Sequence, residues 1–233
     1  MNRLAVFVEG YTEVVFVERL VEEIAGQDKV LIEHREIRGG ATVRRTFAQV
    51  RAARPDTGQK YYILIVDCGG DHQVKSRILE EHEGLTKAGY QAILGLRDVR
   101  PDFTRDEIPR LERGLPYGIK TKLCPVEILL AVMEVEAWFL AEATHLFRID
   151  PAITAEAVKA ALGFDPSADD MEQRDAPATD LAACYALGGK AYSKGAAKDT
   201  VDALDFAEMY LARSGRVPRL KRLIDRIEAF LAT

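Results

Sequence analysis

The chain is short of the residues that mark secreted, membrane-spanning or zinc-dependent proteins. Of 233 residues only three are cysteine, Cys68, Cys124 and Cys184. They have no metal-ligand spacing and read as reduced thiols of a cytoplasmic protein. The four histidines, His34, His72, His82 and His145, show no zinc spacing either. No run approaches the roughly 18 apolar residues of a membrane span, and the opening Met1-Asn2-Arg3-Leu4 enters a strand pattern with no signal-peptide layout. A P-loop is missing, since Gly188-Gly189-Lys190 lacks the upstream glycine, and so is a G-x-S-x-G elbow. A surplus of positive charge is also absent. The net charge is −5, so any contact with nucleic acid must use a local basic patch or a metal that neutralises acidic groups.

What remains is ordinary globular composition, 48% hydrophobic and 30% charged. In the first two thirds strand and helix signals alternate. Leu4 to Val8 is a short apolar run, and Thr12 opens a helix to about Ala25 with Val17, Leu20, Val21 and Ile24 at helical spacing. Val30–Ile37 reads as a second strand, and Gly39-Gly40 breaks the chain. A helix is then predicted over about Thr42–Ala53, with Val43, Phe47 and Val50 inward. Tyr61–Val66 and Tyr90–Leu96 read as strands flanking a helix over about Gln73–Ala88. Pro125–Met133 is a fifth strand candidate, and Glu136 opens a helix containing Trp138, Phe139 and Leu140. This alternation predicts an α/β fold with a mainly parallel central sheet and helices on both faces. Residues 1–147 are assigned to that domain. Residues 148–233 are assigned to a helical C-terminal subdomain, with a polar loop near 163–178 and amphipathic helices over Val201–Ala212 and Arg219–Leu231.

In parallel sheets ligands bind beyond the carboxyl ends of the strands, and acidic residues collect at those positions. Glu9 and Glu13 follow the first strand. Asp67 and Asp71 follow the third, Asp98 the fourth, and Glu134 and Glu136 the fifth. Each also has a plain structural reading. Glu13 and Glu136 suit a helix N-terminus, Asp67 and Asp71 bracket a Gly69-Gly70 turn, and Asp98 has Arg97 and Arg100 beside it. Glu9 is the hardest to dismiss, because an acid between an apolar strand and Gly10 needs a partner. Together the carboxylates stay ionised only beside compensating charge. Mg²⁺ or Mn²⁺ suits such oxygen ligands, and paired ions can serve a phosphoryl displacement.

Val8-Glu9-Gly10-Tyr11-Thr12-Glu13 resembles the E-G-x-T-E opening of Toprim domains in the overcoming-lysogenization-defect nuclease group. In those folds a first-strand Glu and a later D-x-D bind Mg²⁺, which by resemblance assigns metal-binding roles to Glu9, Glu13 and Asp67. The chain departs from the pattern at Asp67-Cys68-Gly69, where the second Asp is missing and Asp71 or Asp98 would substitute. Ala131-Val132-Met133-Glu134-Val135-Glu136-Ala137-Trp138-Phe139-Leu140 and Tyr192-Ser193-Lys194 resemble the domain of unknown function 4276, a likeness over nearly the whole chain. The resemblance implies a Toprim-like, divalent-metal-dependent nuclease acting on DNA or RNA. It also implies a possible partner ATPase and a role in phage defence. The alternative is a non-catalytic Toprim-like subunit regulated by that ATPase, which the incomplete D-x-D favours.

Basic residues cluster in two places. Arg35, Arg38, Arg44, Arg45, Arg51 and Arg54 stand against a single acid, Glu36. Arg44 and Arg51, seven apart on the predicted helix, form a strip that could hold phosphates or simply a solvated face. Arg213, Arg216, Arg219, Lys221 and Arg222 form the second cluster. Lys120 and Lys122 precede the fifth strand, and Lys122 is a candidate for stabilising transition-state charge.

Overall fold

Strands buried on both faces read as continuous apolar runs rather than alternating ones, and β1 (Asn2–Val8) is of this kind, with Leu4 to Val8 all buried. The structure is a computed structural model that describes residues 1–38, 46–51, 58–70, 73–213 and 216–232. β1 pairs in parallel with β4 (Tyr61–Asp67) on one side and β5 (Ala92–Asp98) on the other. β2 (Val30–Arg38) extends the sheet in parallel beyond β4, and β6 (Val126–Ala131) does so beyond β5. β3 (Thr46–Arg51) runs antiparallel along the outer edge of β2. The order is β3-β2-β4-β1-β5-β6. The parallel strands therefore bring the residues after Val8, Asp67, Asp98 and Ala131 to one edge.

Helices cover both faces. On one, α1 (Tyr11–Ala25), α4 (Glu136–Ala141) and α10 (Pro218–Leu231) share a buried cluster with Leu4, Val6 and Val8. Phe16 of α1 is central there, its ring 5.7 Å from Trp138, 5.4 Å from Phe139 and 5.6 Å from Phe206. On the other face, Val74 and Ile78 of α2 (Gln73–Lys87) and Leu111 of α3 (Ile108–Gly114) pack with Phe7 and Val66. α2 approaches β5 closely at Gly95, where a Cβ would lie 2.9 Å from Ile78 Cδ1.

The expected boundary after residue 147 falls inside α5 (Thr144–Ile149). α6 (Ala155–Leu162), α7 (Pro177–Leu187), α8 (Ala197–Ala203) and α9 (Phe206–Glu208) follow. Their buried residues, Val158, Leu181, Val201 and Phe206, join the cluster that includes Val6 and Leu20.

Two expected helices form differently. The segment predicted as a helix over Thr42–Ala53 contains β3 instead, with Thr46 opposite Arg38 and Arg51 opposite His34. Only residues 39–45 separate β2 from β3. That is too short for a crossover, which needs about a dozen residues or more, so the chain turns back and pairs the outer edge of β2. Val50, expected inward, is 54% exposed. The expected helix over Val201–Ala212 is broken at Leu204-Asp205. The Asp205 carboxylate accepts from Glu208 N at 2.9 Å and starts a new turn, while Asp205 N donates to the buried Glu142 carboxylate at 3.2 Å. Gly39, Gly40, Val43, Arg44, Arg45, Arg54, Asp71 and His72 lie outside the described residues, as do the side chains of Arg38, Phe47 and Arg213.

Candidate functional site

The carboxyl edge of the sheet carries a concentration of buried acids. Glu9 follows β1 directly and is only 4% exposed. Its Oε1 accepts from Asp98 N at 3.1 Å and lies 3.9 Å from Arg97 Nε. Arg97 is held in turn by Asp102 at 2.9 Å and stacks over Phe103. Asp98 ends β5 and is also buried. Its Oδ1 accepts from Val135 N at 3.0 Å, which leaves Oδ2 facing Lys194 Nζ at 3.5 Å.

Glu13 occupies the first turn of α1, where its Oε2 accepts from Gly10 N at 3.1 Å. This is the return half of a capping box. Glu134 and Glu136 enter from the turn after β6. Met133 there has φ 61°, a left-handed conformation unusual for a residue with a side chain and often found at functional sites. The turn sends Glu134 Oε2 to Ala178 N at 3.0 Å. Glu136 is fully buried, and its Oε1 accepts from Tyr192 OH at 2.6 Å.

The lysine at the centre is Lys194. Its Nζ lies 3.5 Å from Asp98 Oδ2, 3.5 Å from Glu134 Oε1 and 3.8 Å from Glu136 Oε2. Its main-chain oxygen accepts from Thr12 Oγ1 at 3.2 Å. Burial pushes the Glu13 carboxyl up to about 7, with the Glu136 charge adding to the shift. Burial, then Glu13 and Glu136, hold Asp98 well above the usual carboxylate range. Glu136 is raised by burial despite Lys194 and Tyr192, and the Lys194 ammonium is held protonated by Glu136 and Asp98 against its own burial.

Glu9, Glu13, Asp67, Asp98 and Lys194 line an open cleft of about 350 Å³. Asp67 closes one wall, its Oδ1 accepting from Gly69 N at 2.8 Å in an Asx turn. Burial raises its carboxyl. In place of the second acid of a D-x-D, position 69 is a glycine with φ 73° that closes this turn.

Of the residues singled out in the sequence, Glu9, Glu13, Asp67 and Asp98 therefore meet in one cleft, and Glu134 and Glu136 join them through Lys194. Asp71 and Arg44 lie outside the described residues. Lys122 is not in the site. It is exposed in the turn before β6, at the amino edge of the sheet, so the length of a six-residue strand, about 20 Å, separates it from the acids. Arg51 does not sit on a helix face. It lies on β3 and pairs with Glu18 of α1. The described side chains of the second basic cluster are tied to neighbouring groups of the chain. Arg216 reaches Ser167 O and Asp169 O, Arg219 reaches Glu112, Lys221 reaches Asp225 and Arg222 reaches Glu127.

Tyr192 and Lys194 stand out in the sequence only as part of the Tyr192-Ser193-Lys194 likeness, which assigns them no site role. Tyr192 reaches Glu136 across 56 residues, and the Lys194 main chain is held by Thr12 across 182. No family model, curated protein or solved structure matches the chain.

For a divalent ion the donor set is chemically suitable, because every acidic group offers hard oxygen. Glu136 Oε2 is buried without a hydrogen-bond partner, so one oxygen remains to be satisfied. Among the described residues no three His, Cys, Asp or Glu side chains are gathered into a ready-made ligand set. The acids are instead spread around Lys194. No helix among the described residues is long and apolar enough to cross a membrane.

Proposed function

We propose that the acidic cleft is the active site of a divalent-metal-dependent phosphodiesterase, a Toprim-like nuclease acting on DNA or RNA. The observation that carries this reading is the convergence of Glu9, Glu13, Asp67 and Asp98 from separate segments of the chain onto one open cleft, with Glu134 and Glu136 joined to it through Lys194. Buried carboxylates cost several kcal/mol each to desolvate. Hydrophobic residues would stabilise the fold as well, so the arrangement points to function. Asp98, hydrogen-bonded through its own N–H to Glu9, takes the place of the acid missing after Asp67.

Glu9, Asp98 and Glu136 would hold Mg²⁺ or Mn²⁺, with Glu13, Asp67 and Glu134 around them. A bound ion would supply positive charge to a phosphodiester and acidify a water. The chain's own contribution is positional. Val135 N and Asp98 N fix the carboxylates of Asp98 and Glu9, Tyr192 fixes Glu136, and burial keeps these groups from bulk water. Arg51, exposed on β3 and paired with Glu18, has no part in this proposal as a phosphate contact. A cytoplasmic role in phage defence alongside a partner ATPase belongs to the same proposal.

One observation favours a second reading, a non-catalytic Toprim-like subunit regulated by an ATPase. Lys194 already supplies a positive charge to Asp98, Glu134 and Glu136, so the cleft is partly neutralised without a metal. Incubation with mixed DNA and RNA substrates, with and without Mn²⁺ or Mg²⁺, separates the two. The nuclease reading expects metal-dependent cleavage. An inert protein, both alone and with a partner ATPase, leaves the subunit reading standing.

A further inference from the structure

The Lys194 ammonium is placed unlike that of an ordinary salt bridge. Charge-assisted N–H···O contacts settle at about 2.7–2.9 Å, yet Lys194 Nζ stands 3.5 Å from Asp98, 3.5 Å from Glu134 and 3.8 Å from Glu136. It is shared among three carboxylates and seated tightly on none. Glu136 Oε2, one of the three, is buried with no hydrogen-bond partner, so the lysine leaves part of the cleft's demand unmet.

The main chain here is anchored independently of that ammonium. Thr12 Oγ1 donates to the Lys194 carbonyl at 3.2 Å. Two residues earlier, Tyr192 donates to Glu136 at 2.6 Å and packs edge-on against Tyr185, with ring centroids 5.8 Å apart. The Lys194 side chain is 48% exposed. Its ammonium can thus leave for solvent by side-chain rotation alone, without unfolding the segment that carries it.

We propose that Lys194 is an exchangeable counter-ion of the acidic cleft, its ammonium holding the place of a divalent cation and leaving when the cation binds. The inference rests on the reading of the cleft as a metal site and adds to it a built-in competitor. It accounts for two features together: a lysine among the acids, and the lack of a preassembled ligand set among the described residues. With the ammonium present the acids are held apart around it. With the ammonium gone they are left with a charge deficit that a divalent ion fills. Lys194 also offsets part of the repulsion among the buried carboxylates when no metal is bound. The cost of displacing it lowers the apparent affinity for metal, as any coupled equilibrium does.

Two measurements on the full chain test this. The first is calorimetric titration of Mn²⁺ into wild type, Lys194→Met and Lys194→Arg. The expected result is binding about tenfold tighter in Lys194→Met and no tighter in Lys194→Arg, which keeps the competing charge. The second follows the lysine Nζ resonances of ¹⁵N-labelled wild type during Mg²⁺ titration, with Lys194 assigned by its loss in Lys194→Arg. Its signal should move to the position of the solvent-exposed lysines as the ion saturates. If wild type binds metal but Lys194→Met binds no tighter, or the Lys194 signal does not move, the exchange is overturned while the metal-site reading survives. If neither ion binds wild type, both fall. Should Lys194→Met fail to fold, the resonance measurement decides alone.

Discussion

The backbone N–H of Asp98 donates to the carboxylate of Glu9 at 3.1 Å across 89 positions of sequence. The bond joins the ends of two adjacent parallel strands, so it fixes the spacing of two acids that the chain could otherwise bring together only by chance. Both are almost wholly buried. The partners of Glu9 thus include a neutral donor, Asp98 N, and a more distant cation, Arg97 at 3.9 Å.

Glu9→Gln should lower metal-dependent cleavage by at least about 100-fold while the protein stays folded. The amide oxygen of Gln can still accept from Asp98 N, but it carries no charge for a metal. Cleavage rates on the mixed substrate panel, read beside thermal melts, check this. A variant as fast as wild type would remove Glu9 from the mechanism.

In metal-free protein, stability should fall as pH rises from about 4.5 to about 7, in part because of Glu13. Its carboxyl is raised to about 7 in the fold from an ordinary value of 4.5. Between those values the folded state keeps a proton that the unfolded state has released, so raising the pH favours unfolding. Asp98 and Glu136 are shifted in the same direction. Below about 4.5 the contribution of Glu13 is fully present, and above about 7 it is lost. Glu13→Gln has no such group and should show a flatter melting profile across this window. Equal slopes for variant and wild type would place the raised carboxyl elsewhere.

Gly95→Ala should destabilise the protein by about 1–3 kcal/mol without touching the cleft. A methyl there would meet Ile78 Cδ1 at 2.9 Å and Val74 and Ile128 carbons at 3.1 Å, so α2 or β6 must shift. Denaturant titration gives the loss. Metal affinity unchanged from wild type would confirm that the cost is one of packing.

Arg51→Ala tests the basic strip. The side chain is exposed and paired with Glu18, and exposed pairs contribute about 0–1 kcal/mol. The melting temperature should barely move. Because Arg51 lies opposite His34, within β2 rather than at its carboxyl end, the salt-dependence slope of nucleic-acid binding should also stay the same. A slope reduced by about one would return Arg51 to the role of a phosphate contact.

The sequence by itself determined the parallel framework. The unbroken apolar run Leu4–Val8 reads as a strand covered on both faces, and its alternation with helical periodicity favours parallel pairing with the carboxyl ends on one edge. From that alone Glu9, Asp67 and Asp98 fall on a common edge. Local signals failed where tertiary contacts outweighed them. Val43, Phe47 and Val50 have helical spacing, yet an unpaired β2 edge and a short connection made 46–51 a strand. Val201–Ala212 reads as one helix, yet Asp205 turns to cap a new turn and to serve the buried Glu142. Lys194 was decided by the tertiary structure alone. The Tyr192-Ser193-Lys194 segment stands out only as part of a family likeness, and nothing in its spacing links Lys194 to the strand-end acids. Its position follows from the packing of the C-terminal helices on α1 and α4, which brings Tyr192 to Glu136 and Lys194 to the acids. Long-range electrostatic partners are chosen by the packing of whole elements, and no local pattern of spacing encodes that choice.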